Sequence, residues 1–285
     1  IMYCIREVGK MKYIFVAGVL LIAFTVFADP GDTIGVWYPS GHSNPRGLAV
    51  CTWGEGAEPE SIWVAGRVYT DDCKFGLLDN TDDHNIIQEW QQFSGAYWCY
   101  DIGFPYNYGG NDCIVALDHI EPWLRLYDPV DGSNVGYLSN PFGNGINEGC
   151  GCDPDTNHVY NSAYSYRDIK EWDGSSWSTF ATCPGSPTMG VAVGWDHVLV
   201  VTSLDDYTIY IYDMSGNEEY SVPLNNWSSW MAGMCCAHRD RVGNNESVYL
   251  AIFYPYNAIA EVEIEDLYGT TIESVSAGTI KALFH

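Results

Sequence analysis

Leu124-Arg125-Leu126-Tyr127-Asp128-Pro129-Val130-Asp131-Gly132 returns as Ile169-Lys170-Glu171-Trp172-Asp173-Gly174, and again as Ile209-Tyr210-Ile211-Tyr212-Asp213-Met214-Ser215-Gly216. Each copy is a short strand that ends on an aromatic and an aspartate and runs into a glycine turn. Weaker copies are Phe75-Gly76-Leu77-Leu78-Asp79 and Ile259-Ala260-Glu261-Val262-Glu263. Alternating side chains bury one face of each strand, and the Asp/Gly turns close hairpins. The copies recur roughly every 40–50 residues, the period of a fold built by repeating one supersecondary unit.

Upstream of each copy lies a strand of small residues. These strands are Asn44-Pro45-Arg46-Gly47-Leu48-Ala49-Val50, Tyr97-Trp98-Cys99-Tyr100, Glu148-Gly149-Cys150-Gly151-Cys152, Met189-Gly190-Val191-Ala192-Val193 and Ala232-Gly233-Met234-Cys235-Cys236. Small residues suit innermost strands that crowd around an axis. Between the two elements comes an apolar strand, such as Ile62-Trp63-Val64-Ala65, Ile114-Val115-Ala116-Leu117 or Val198-Leu199-Val200-Val201. An outer strand follows the aspartate turn, as in Ile86-Ile87-Gln88-Glu89-Trp90 and Tyr220-Ser221-Val222. The pattern predicts an all-β protein, a β-propeller of four-stranded blades. Five blades are expected, with six as the alternative if a long loop hides another. The last unit lacks an obvious outer strand. Ile34-Gly35-Val36-Trp37-Tyr38 has the character to close the ring as an N-terminal velcro strand, with Thr271-Ile272-Glu273-Ser274-Val275 as its rival.

With Asn44-Pro45-Arg46-Gly47-Leu48-Ala49-Val50, then Ile62-Trp63-Val64-Ala65, then a Tyr-Asp strand with a glycine turn, the chain resembles the NHL/YncE-type propeller repeats of secreted bacterial proteins. Trp172-Asp173-Gly174-Ser175-Ser176-Trp177 is similar to a hairpin of kelch-like propellers. The resemblance runs over residues 34–265. It implies architecture more than activity, because propellers host many functions.

Residues 11–28 read as a signal peptide. Lys12 precedes an apolar run from Ile14 to Phe27, and small residues sit at the −3 and −1 positions of a cut after Ala28. Residues 1–10 read as an upstream artefact, residues 29–269 as the propeller and residues 270–285 as a C-terminal tail. The expected location is therefore secreted: periplasmic, cell-surface or extracellular. The apolar run is shorter than the roughly 20 residues of a spanning helix, so no membrane span is expected in the mature chain. With a formal net charge of −25 over 285 residues, the surface repels nucleic acid and anionic membranes. Protein or carbohydrate is left as the expected partner.

Nine cysteines follow the signal segment: Cys51, Cys73, Cys99, Cys113, Cys150, Cys152, Cys183, Cys235 and Cys236. In an exported chain they read as disulfides, with Cys51–Cys73 and Cys99–Cys113 the first pairs to expect because each falls within one repeat. The odd number leaves at least one thiol over. Cys235-Cys236 either form a vicinal bond or face opposite sides of a strand. Cys150 and Cys152, two apart, share a face.

Asp101, Asp153 and Asp196 each follow an inner strand, which makes them the catalytic candidates if they meet around the axis. Asp153 and Asp155 offer the oxygen donors that calcium takes. Tyr106 and Tyr108, in a stretch that reads as a loop, and Trp98 are the candidates for an exposed ligand-binding surface. The leading expectation is a non-catalytic binding or scaffold propeller that engages a protein or glycan at its channel-mouth loops. One alternative is a calcium-dependent hydrolase or lactonase using the inner-strand carboxylates, and another is a structural subunit that assembles through its tail.

Overall fold

Strand β1 (Thr33–Trp37) lies at the N-terminal end of the described chain, yet it hydrogen-bonds to the strand nearest the other end. The computed structural model describes residues 30–39, 44–53, 59–67, 73–79, 86–91, 99–118, 121–143, 146–204, 206–225, 227, 230–238, 246–254 and 257–264. Segments 1–10 and 11–28, the tail 270–285, the rival closing strand at 271–275 and Trp98 lie outside the described residues.

Blade one is β2 (Pro45–Trp53), β3 (Pro59–Arg67), β4 (Cys73–Asp79) and β5 (Ile86–Gln91). Blade two is β6 (Cys99–Tyr108), β7 (Asn111–Asp118), β8 (Trp123–Tyr127) and β9 (Asn134–Ser139). Blade three is β10 (Asn147–Asp153), β11 (His158–Ala163), β12 (Asp168–Trp172) and β13 (Trp177–Thr182). Blade four is β14 (Thr188–Gly194), β15 (His197–Thr202), β16 (Thr208–Asp213) and β17 (Glu218–Pro223). Blade five is β18 (Trp230–His238), β19 (Ser247–Tyr254) and β20 (Ala258–Glu263), with β1 as its outer strand. All pairings are antiparallel, and β1 closes the ring with Val36 opposite Ala260 and Trp37 opposite Ile259. The molecule is a five-bladed β-propeller with the expected N-terminal velcro strand.

In blades two, three and four the aspartate at the end of the repeated strand caps the next hairpin. Asp213 Oδ1 accepts the backbone N–H groups of Ser215 and Asn217, both at 2.9 Å. Asp173 Oδ1 does the same for Ser175 and Ser176, both at 2.8 Å. Gly174 (φ 91°) and Gly216 (φ 82°) then take the left-handed backbone the turns require. The aromatic just before the aspartate faces a neighbouring blade. Tyr127 meets Phe75 edge-on at 5.6 Å, and the Trp172 indole N–H donates to Tyr106 Oη at 3.1 Å.

The core is five inter-blade layers rather than one centre. Trp63 and Phe75 pack with Ile102 and Ile114 between blades one and two, while Val115 and Leu117 pack with Val159 between two and three. Tyr160 and Ile169 pack with Val198 and Val200, Leu199 and Ile211 with Leu250 and Val262, and Leu48 and Ile62 with Tyr249 and Ala251. Nearest the axis the layers are set by glycine. Gly47, Gly149, Gly190 and Gly233 hold equivalent places in the inner strands of blades one, three, four and five. A Cβ on Gly149 would lie 2.2 Å from Met189 O, one on Gly190 2.5 Å from Ala232 O, and one on Gly233 2.4 Å from Arg46 O. Each glycine therefore lets its strand touch the backbone of the next blade. Gly149→Ala should overpack this contact and destabilise the protein by about 1–3 kcal/mol, read from denaturant melts.

The turn aspartates generate a pH prediction. Hydrogen bonds from Ser176 and Ser175 hold the Asp173 carboxyl down at about 2, from an ordinary value of 3.8. A depressed folded-state pKa gives stability that is present above the unfolded value and lost as pH falls through the folded one. Acid melts of the wild type should show this loss between about pH 4 and pH 2, and Asp173→Asn should flatten that part of the profile.

Candidate functional site

Blade two breaks the glycine ring with Asp101. Where the other inner strands carry Gly47, Gly149, Gly190 and Gly233, this strand places a carboxylate at the axis, and Asp101 is fully buried. Its Oδ1 accepts the N–H of Ile102 at 2.9 Å and of Leu48 at 3.3 Å. Its Oδ2 accepts the N–H of Cys150 at 2.9 Å and of Val191 at 3.4 Å. Each donor is the residue just after the ring position, so one side chain ties blades one, two, three and four together. A Cβ on Gly233 of blade five would sit 2.3 Å from Oδ1, so the fifth strand closes over the same carboxylate. Burial pushes the Asp101 carboxyl well above the usual range, against the pull of those four N–H groups.

On one side of this plug lies a buried polar layer from the residues just before the ring position. The Arg46 guanidinium stands 4.4 Å over the Tyr100 ring. Glu148 is buried beside them, and burial drives its carboxyl well above the usual range, while the Arg46 charge pulls it back and Asp101 pushes it further up. Asn147, fully buried next to Glu148, has neither amide atom hydrogen-bonded.

On the other side is a cavity of about 200 Å³, floored by Leu48, Ile102, Cys150, Val191 and Met234, the residues that follow the ring position. Its upper wall carries Cys51, Cys152, Cys235 and Cys236, together with Phe104 and Pro105. The axis is therefore divided: charge on one side, thiols and aliphatic groups on the other.

The expected catalytic carboxylates do not come together. Asp101 is the plug. Asp153 ends β10 and is consumed locally, accepting the Asp155 N–H at 2.9 Å and the Thr156 hydroxyl at 2.5 Å. Asp196 sits exposed in the tight turn between β14 and β15 at φ 60°. Asp155 is exposed in the turn after β10. Among the described residues, no group of three or more His, Cys, Asp or Glu is arranged to hold a metal ion.

The tyrosine reading is corrected in part. Residues Tyr106 to Tyr108 are not loop but the end of β6, and only Gly109-Gly110 form the turn. Pro105 misleads a reading of the sequence, but β6 is an edge strand of its blade, where proline is tolerated, and the pairing shifts register between Gly103 and Tyr106. Tyr106 is buried and bonded to Trp172, whereas Tyr108 is exposed. The more exposed aromatics on the same blade are Trp123 and Tyr137, 45% and 54% accessible, with ring centroids 6.3 Å apart. Arg125 lies opposite Tyr137 on the adjoining strand and is paired with Glu121 at 3.2 Å. Both aromatics lie within strands, Trp123 opening β8 and Tyr137 inside β9, where strand periodicity alone does not mark a binding aromatic.

The disulfide expectation is corrected too. Cys51 and Cys113 are free thiols, so neither the Cys51–Cys73 nor the Cys99–Cys113 bridge is formed. Cys150, Cys152, Cys183, Cys235 and Cys236 are free and buried as well. The reason is placement: Cys235 packs toward blade one and Cys236 toward blade four, so neighbours in sequence serve different inter-blade layers. The two do face opposite sides of their strand.

No family model matches the chain, and no curated protein matches it in sequence. Solved structures match its shape. Glutaminyl cyclase from Myxococcus xanthus aligns with a TM-score of 0.56 at 7% identity, covering 82% of this chain and 96% of that one. The structure of a nidogen/laminin complex aligns at 0.50 and 12% identity, covering 74% and 77%. Virginiamycin B lyase from Staphylococcus aureus aligns at 0.47 and 14% identity, covering 79% and 68%. At these identities the likeness is one of propeller fold.

Asp101→Asn tests the plug. The amide would put an N–H₂ where backbone N–H groups already point, leaving buried donors unmet at about 1–3 kcal/mol each. A fall of several degrees in melting temperature is expected, and an unchanged melting curve would show that the plug does not hold the ring.

Proposed function

We propose that this protein is an exported, non-catalytic binding propeller whose partner is another protein. The observation that carries the reading is the fate of the inner-strand carboxylates. Asp101 spends both oxygens on four backbone N–H groups, Asp153 caps its own turn, and Asp196 stands apart on an exposed hairpin. A hydrolase built on inner-strand carboxylates needs two that converge on one bond, or a metal held by several, and Asp101, Asp153 and Asp196 are placed apart.

What the chain offers a partner is the outer part of blade two. Exposed Trp123 and Tyr137 flank Arg125, and aromatic residues and arginine are the types enriched at protein interfaces. The nidogen/laminin neighbour adds that a propeller of this shape occurs in a protein complex. Export rests on the signal-like segment 11–28.

A second reading keeps chemistry in the polar layer. Glu148, its carboxyl raised by burial beside Arg46, holds a proton more readily than an ordinary glutamate, the kind of perturbation found at proton-transfer sites. The two readings separate cleanly. Trp123→Ala combined with Tyr137→Ala should abolish capture of the partner that cross-links to the wild-type protein, with the melting temperature unchanged. A glycan-array signal lost in the same variant would move the partner to carbohydrate. Turnover of a lactone or glycoside panel that is lost in Glu148→Gln would overturn the binding reading in favour of the enzyme.

A further inference from the structure

Among the described residues, five cysteines line the axial cavity, but they do not address it equally. Cys51 is half-buried and engaged with Ser61 and Trp63. Cys235 and Cys236 turn to opposite sides of β18, toward blades one and four. Cys150 and Cys152 differ from these. They stand two apart on β10, pack in the same layer against blade two, and sit over the bare backbone of Gly103. The point where Gly103 would carry a Cβ is 2.5 Å from Cys152 Sγ and 3.1 Å from Cys150 Sγ. Both sulfurs thus pack directly on the Gly103 backbone, and they are hydrogen-bond neighbours of each other. Both are free thiols, and both face the cavity.

We propose that Cys150 and Cys152 form a two-coordinate site for a soft monovalent metal ion, with Cu(I) as the chemical class. Thiolate donors select such ions over hard cations, and among the described residues the aliphatic and thiol lining includes no carboxylate to favour calcium or magnesium. Two sulfurs suffice for a linear d¹⁰ ion, which needs no third ligand. Met234, on the cavity floor, keeps the surroundings soft. The balance is simple: each thiol releases its proton to solvent as its sulfur–metal bond forms, and no electron is transferred. Binding therefore strengthens as pH rises. The proposal does not depend on the binding-partner reading, since it concerns the axis and not the face of blade two.

The test titrates the reduced full chain, without oxygen, with Cu(I) and separately Ag(I) against a competing chelator. X-ray absorption then reads the ligand shell. One ion per chain is expected, with two sulfurs in the shell and two protons released per ion. Cys150→Ser and Cys152→Ser should each weaken binding by more than the ~10–100-fold that loss of an outer-shell partner costs, while Cys183→Ser, in the layer between blades three and four, should leave it unchanged. No binding by the wild type overturns the proposal, and so does binding that survives both serine substitutions. Loss of binding in Cys51→Ser or Cys235→Ser alone would also overturn it. Should the serine variants fail to fold, the wild-type shell decides: two sulfurs support the site, and a shell of oxygen or nitrogen refutes it.

Discussion

One carboxylate sits where five strands meet. The inner strands of a propeller are edge strands, and their backbone N–H groups face the axis with no strand beyond them to accept. A buried N–H without a partner costs free energy comparable to a lost hydrogen bond. Asp101 meets four of these donors at once, from Leu48, Ile102, Cys150 and Val191, and it can do so only because the other four blades carry glycine at its level. The glycine ring and the aspartate are thus one device. Glycine brings the strands close enough to share an acceptor, and the acceptor makes that closeness tolerable.

The same plug explains why the two sides of the axis differ so sharply. A solvated central channel would wet both layers and even out their chemistry. With Asp101 across it, Arg46, Tyr100, Glu148 and Asn147 are buried together on one side, and the thiols of β10 and β18 gather on the other. Four backbone N–H groups already occupy the two oxygens of Asp101. Arg46 instead offsets the burial of Glu148 and stacks on Tyr100.

Much of the architecture was legible because it rests on local, repeated chemistry. The Tyr/Trp-Asp landmark marks a strand whose aspartate caps the following hairpin, and that capping is a matter of a few adjacent residues, as at Asp213 and Asp173. The closing strand was legible for the same reason: Ile34 to Tyr38 has strand character without a partner nearby. The site was less legible. Asp101 drew attention as an acid, and its real part is to receive backbone N–H groups from blades 49 to 90 residues away along the chain. A signal was present in the aligned strings Arg46-Gly47-Leu48, Tyr100-Asp101-Ile102, Glu148-Gly149-Cys150, Met189-Gly190-Val191 and Ala232-Gly233-Met234. One aspartate among four glycines at a position crowded against backbone is the mark of a structural acceptor.

The cysteines teach the complementary point. Counted along the chain, Cys51 with Cys73 and Cys99 with Cys113 look like pairs because each falls within one repeat. In a propeller, however, sequence neighbours on an inner strand alternate between two inter-blade layers, and residues of one blade reach the axis only through that strand. Cysteines gather at the axis because sulfur is compact and apolar enough to fill the narrow wedge between converging blades. Packing in the wedge separates Cys235 from Cys236, one toward each neighbouring blade. It unites Cys150 and Cys152, because the period of a strand returns them to the same face above Gly103. Which thiols can act together is thus decided by strand parity around the axis rather than by distance along the sequence.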